Sequence, residues 1–142
     1  MLSGRWITFV GAERDVLVVA CAVSAGIHAA LVDDHFAERT GPGLGFAVAA
    51  VLLVAIVVGL TNRTTGTLAL AAAGVVLAGL VASYVLATTT GLPLLHPDPE
   101  PVDGLALATK AIETVGLLGA LHLVWRDRPS VALVRRPKGR TT

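Results

Sequence analysis

Residues 44–60 read LGFAVAAVLLVAIVVGL, an apolar run from Leu44 to Leu60 without one ionisable side chain. A helix crossing the hydrocarbon of a bilayer needs about 20 mainly apolar residues, with a working range of about 17 to 25. This run meets that length. Apolar residues on every side of a helix leave no face for water, so lipid is its natural solvent.

Three further blocks flank it. Val16 to Val32 lies between Asp15 and Asp33. The others run from Thr67 to Ala87 and from Leu105 to Trp125. Alternation of period two is absent, which argues against the strands of a membrane barrel. Composition agrees. The chain is 54% hydrophobic and only 15% charged, with a mean hydropathy of +0.76. Globular chains carry about 25% charged residues, and a soluble fold this apolar would lack polar surface to cover its core. The expected fold is therefore all-α: an integral membrane four-helix bundle with spans at about 16–33, 44–60, 67–88 and 105–126.

Between the spans, Gly41-Pro42-Gly43 is expected to stop a helix and turn the chain. Thr61 to Gly66 is short and polar, so the second and third spans form an antiparallel hairpin. Thr88 to Gly104 holds Pro93, Pro97, Pro99 and Pro101 and cannot be helical throughout. An up-down-up-down path follows. Residues 1–15 form an N-terminal segment, 16–126 the membrane domain and 127–142 a basic tail.

Orientation follows from Lys and Arg near the spans. Arg5, Arg14, Arg63, Arg126, Arg128, Arg135, Arg136, Lys138 and Arg140 fall on one side; Arg39 alone falls on the other, with Asp33, Asp34, Glu38, Asp98, Glu100 and Asp103. Both termini are expected in the cytoplasm. Trp6, Phe36 and Trp125 sit where interface anchors would. Val18-Val19-Ala20-Cys21 resembles a lipoprotein cleavage box, but Glu13, Arg14 and Asp15 interrupt the apolar run that should precede it. The block is read as a retained span. One cysteine, Cys21, excludes an intrachain disulfide; it reads as a small packing residue. Small residues at Ala22, Gly26 and Ala30, at Gly74, Gly79 and Ser83, and at Gly116 and Ala120 offer seams for close helix approach, within the chain or between copies.

Ionisable groups inside a bilayer cost roughly 2.5 to 3.5 kcal/mol each on insertion scales and so invite a functional reading. His28 stands in the first span, and Lys110 and Glu113 in the fourth. At about 1.5 Å per residue, His28 and Lys110 lie about 7 Å inside their outer ends and Glu113 about 12 Å. Tyr84 falls in the same layer. Spacing of three places Lys110 and Glu113 on one helix face. The simplest reading is an ion pair that ties the bundle, with His28 or Tyr84 hydrogen-bonded to it. The functional reading makes Glu113 an ion or proton site with His28 beside it. His28, His35, His96 and Glu113 could hold a divalent metal, since imidazole and carboxylate suit zinc or copper; Lys110 opposes this by repelling a cation. His122, nine residues from Glu113, points elsewhere and reads as interfacial.

Gly26-Ile27-His28-Ala29-Ala30-Leu31, Gly91-Leu92-Pro93, Pro99-Glu100-Pro101-Val102-Asp103 and Glu113 together resemble a group of small four-span proteins of high-GC actinobacteria. That group carries an arginine just before Gly-Leu-Pro, where this chain's nearest position is Thr88. The resemblance implies a plasma-membrane setting and no particular substrate.

The leading expectation is a binding or accessory membrane protein with an outward-facing His/carboxylate site. The alternatives are a structural subunit docked on a larger membrane complex, and a small proton-coupled transporter acting as a homo-oligomer. No catalytic residue is expected: no serine, cysteine or paired-carboxylate constellation has usable spacing. Lipid is the expected partner, and nucleic acid is not.

Overall fold

The structure, a computed structural model, describes residues 9–62, 66–92 and 97–127. Five helices make up the fold: α1 Phe9–Ala30, α2 Val32–Glu38, α3 Thr40–Thr61, α4 Gly66–Thr89 and α5 Gly104–Arg126. No strand occurs among the described residues. Trp6, Arg63, Pro93, His96 and the basic tail beyond Asp127 lie outside them.

Three helices, α3, α4 and α5, are each long and apolar enough to cross a membrane. A fourth span exists if α1 and α2, bent by 42°, count as one. α1 packs against α3 and α5, and α4 packs against the same two, so the four long helices form a ring. Within the ring lie Leu17, Cys21, Leu53, Leu60 and Leu77, all buried. Gly116 marks a close approach of α5 to α1 and α4. A Cβ there would stand 3.1 Å from both Ala20 Cβ and Leu77 Cδ1. The outer faces are the reverse of a soluble protein's. Leu68 is 75% exposed, Val75 74% and Val51 69%. Apolar surface spread this widely is what a membrane-embedded chain presents to lipid.

Three features differ from the sequence reading. First, α1 runs from Phe9 and carries Glu13, Arg14 and Asp15 within it. Helical backbone satisfies its own hydrogen bonds whatever the side chain, so an apolar block understates the helix that bears it. Second, Gly41-Pro42-Gly43 does not stop a helix; it occupies the first turn of α3. A first-turn N–H has no intrahelical acceptor, so proline loses nothing there. The chain turns instead at Arg39, whose backbone is extended (φ −158°, ψ 147°). Third, the first apolar block is not one straight helix. It breaks at Leu31, whose N–H is shared between the Ile27 and His28 carbonyls at 3.2 and 3.3 Å. The short helix α2 then carries exposed Asp33, Asp34 and Glu38 and packs on α3.

Of the expected small-residue seams, Gly116 and Ala120 are buried. Ala22, Gly26 and Ala30 face outward, and a Cβ on Gly26, Gly74 or Gly79 would meet nothing within 4 Å.

Phe36 is no simple interface anchor. Its ring lies on Gly43, so closely that a Cβ at position 43 would collide with it. Gly43→Ala is expected to cost about 1–3 kcal/mol, the usual range for overpacking. Phe36→Ala in the same chain should return most of that loss. Thermal unfolding of the single and double variants in detergent measures it; equal losses in both would show that the two positions are not coupled.

Candidate functional site

Four polar side chains are buried among the described residues: Ser24, His28, Thr109 and Glu113. All lie in the half of the bundle holding the C-terminal end of α1 and the N-terminal end of α5. Ser24 and His28 are four apart on α1, and Lys110 and Glu113 three apart on α5. Each pair therefore shares a helix face, and packing α1 on α5 brings the two faces together.

Glu113 is 0% exposed. Its Oε1 accepts from Ser24 Oγ at 2.7 Å and its Oε2 from Lys110 Nζ at 2.5 Å. Lys110 also reaches the Leu80 carbonyl of α4 at 3.4 Å and stands 5.8 Å over the Tyr84 ring. The Lys110–Glu113 pair thus joins three helices. His28 approaches Glu113 Oε1 only to 3.9 Å, too far for a hydrogen bond. Its Nδ1 lies 2.9 Å from the Ser24 carbonyl. A carbonyl only accepts, so Nδ1 carries the proton and, in the neutral ring, Nε2 keeps its lone pair. His35 repeats the device: Nδ1 donates to the Leu31 carbonyl at 2.8 Å. Both imidazoles lie against Phe46 of α3, with ring centroids 3.8 Å away for His35 and 5.1 Å for His28.

Above Glu113 opens a cavity of about 350 Å³. His28, His35, Phe46, Tyr84 and Lys110 are in its wall, with Glu100 and Asp103 from the segment leading into α5. That segment is held by Glu100 N–H on the Ala87 carbonyl at 2.9 Å. Asp103 caps α5 by accepting from Ala106 N–H at 2.8 Å. Gly91, at φ 71°, makes the turn out of α4 that a side chain would resist. The Tyr84 hydroxyl is buried and has no hydrogen-bond partner among the described residues.

The expected polar layer of His28, Tyr84, Lys110 and Glu113 does come together. The partner of Glu113 beside Lys110 is Ser24, however, and not His28 or Tyr84. Ser24 was not singled out in the sequence, although its place one turn before His28 marks it. Phe46 was also missed, because an aromatic inside an apolar run carries no signal of its own.

The expected metal set is not assembled among the described residues. No three His, Cys, Asp or Glu groups converge there. Each Glu113 oxygen already holds a donor, and His96 lies outside the described residues. Cys21 packs in the core, fully buried.

The opposite end of the bundle has its own polar contacts. Arg14 Nε donates to the Leu60 carbonyl in the last turn of α3 at 2.9 Å. A Cβ on Gly66, the first residue of α4, would stand 2.7 Å from Arg14 Nη2. Glu13 pairs with Arg126 at 3.0 Å and lies 3.7 Å from His122. His122 is thus apart from the Glu113 layer, as its spacing implied.

These features define a small α-helical membrane-embedded protein whose one end holds a largely apolar cavity with a few polar side chains, Lys110 among them, in its wall. No protein family, curated protein or solved structure matches the chain.

Removing one partner of a buried pair strands the other charge. Lys110→Met is expected to lower stability by about 3–5 kcal/mol, whereas Lys110→Met with Glu113→Leu should return close to wild type. Ser24 can then turn its hydroxyl to its own helix's carbonyls. Unfolding in mixed micelles reads both, and an equal loss in single and double variants would deny the coupling.

Proposed function

We propose that the protein is a four-span plasma-membrane protein, with both termini in the cytoplasm, that binds a small molecule in the cavity above Glu113. The bent α1–α2 pair is the first span in this reading. Contacts of Arg14 with the end of α3, of Arg126 with the start of α1 and of Lys110 with the far part of α4 support helices that alternate in direction. The excess of basic residues at the Arg14 end supports placing that end inside.

One observation carries the binding role. The Tyr84 hydroxyl is buried with no partner among the described residues, and Tyr84 is in the wall of a cavity of about 350 Å³. Native structures rarely leave a buried polar atom unsatisfied. Small-molecule sites run from about 300 to 1,000 Å³ and combine an apolar wall with a few polar groups. Pure helix packing would have no use for the space.

Cysteine labelling tests the orientation. Cys21 is buried and should stay silent. Asp33→Cys should react with a membrane-impermeant maleimide added to intact cells, and Asp127→Cys only after lysis. The reverse pattern would overturn the topology.

Filling the cavity tests the binding role. Ala106 is in the wall, and Ala106→Trp would occupy much of the space. Extracts of wild-type protein purified in nanodiscs should contain a small molecule, seen by mass spectrometry, that extracts of the variant lack. Identical extracts would leave a structural subunit as the better reading.

A further inference from the structure

The chemical class of the ligand can be read from which hydrogen-bonding groups in the cavity wall are already spent; this rests on the binding role proposed above. Nearly every side-chain donor is committed. Ser83 Oγ donates to the Leu80 carbonyl at 2.9 Å, and Thr109 Oγ1 to the Leu105 carbonyl at 2.8 Å. Lys110 is held by Glu113 at 2.5 Å and by the Leu80 carbonyl at 3.4 Å. Tyr84 alone keeps a free hydroxyl among the described residues.

The acceptors are largely unspent. His28 and His35 both turn Nδ1–H to a backbone carbonyl, which leaves two Nε2 lone pairs. Glu100 makes no ion pair among the described residues, and Asp103 uses one oxygen on Ala106 N–H. Charge tells the same story. The wall's formal charges are Glu100, Asp103 and Lys110, and Lys110 is neutralised by Glu113. Among the described residues of the wall, an entering molecule meets two carboxylates and no cation without a partner. An anion is repelled. A molecule bearing only acceptors finds little to bind.

We infer that the cavity takes a small organic amine in its protonated form. The ammonium group supplies the donors that Glu100, Asp103 and the imidazole Nε2 atoms lack. The apolar body lies among Ile27, Phe46 and Leu105. A free amine and an ethanolamine lipid headgroup present the same group, and the experiment separates them.

Protein in phosphatidylcholine nanodiscs at neutral pH is titrated calorimetrically with three probes of matched shape: phenethylammonium, phenethyl alcohol and hydrocinnamate. The amine is expected to bind at least about tenfold more tightly than either other probe, the worth of one charge-assisted hydrogen bond. Glu100→Gln, in a partly exposed segment, should remove most of that preference while leaving the thermal midpoint unchanged. Asp103→Asn gives a second reading, since asparagine caps a helix as well as aspartate. Replacing part of the phosphatidylcholine by phosphatidylethanolamine distinguishes the sources. Competition with phenethylammonium supports the lipid headgroup; undisturbed binding supports a free amine.

Equal or tighter binding of the alcohol or hydrocinnamate, abolished by Ala106→Trp, would overturn the amine class and keep the binding role. Failure of all three probes to bind would overturn the amine class as well. The binding role itself falls only if wild-type and Ala106→Trp extracts are identical.

Discussion

A carboxylate with no access to water governs this structure. Glu113 must find donors inside the bundle, because an uncompensated charge in a low-dielectric interior costs several kcal/mol even after relaxation. Lys110 supplies one from the same helix and Ser24 another from α1. Lys110 in turn needs its remaining hydrogens placed and leans on α4 through the Leu80 carbonyl. The demands of one side chain thus set the register of three helices. Lipid-facing helices have little else to fix register, since apolar surfaces in an apolar solvent slide at little cost.

The bundle is built around that demand with small residues and backbone carbonyls. Gly116, one turn below Glu113, lets α5 approach α1 and α4 closely enough for the hydrogen bonds to close. At the other end Arg14 meets the last-turn carbonyl of α3, where the helix dipole favours a cation. Both ends are therefore tied by polar contacts across helices, and the middle by close packing. The cavity lies where neither device operates, beyond Glu113 and under the segment that enters α5.

The spans were legible because their signal is additive. In the run 44–60 every residue votes for lipid, and no tertiary contact can reverse that. Lys110 and Glu113 were legible for the converse reason, since charge inside an apolar block is expensive and spacing fixes the shared face. What escaped depends on partners that lie far off in sequence. Ser24 is one of many small residues in α1, and only the arrival of α5 makes its hydroxyl matter. Phe46 gains meaning from two histidines on other helices. The bend at Leu31 leaves no glycine or proline to mark it, and the Gly41-Pro42-Gly43 stretch suits a helix's first turn as well as a stop. Whether the glycine at 43 faced solvent or the Phe36 ring could not be told from its neighbours in the chain.

The spacing of Lys110 and Glu113 also bears on how the protein enters the membrane. Opposite charges one turn apart on a single helix neutralise each other before any neighbour is present. The apolar stretch of α5 ahead of Arg126 can therefore leave the insertion machinery without net charge. His28 and Thr109 likewise find acceptors within their own helices, at the Ser24 and Leu105 carbonyls. The bonds between helices, from Ser24 to Glu113 and from Lys110 to the Leu80 carbonyl, form afterwards by lateral association in the bilayer.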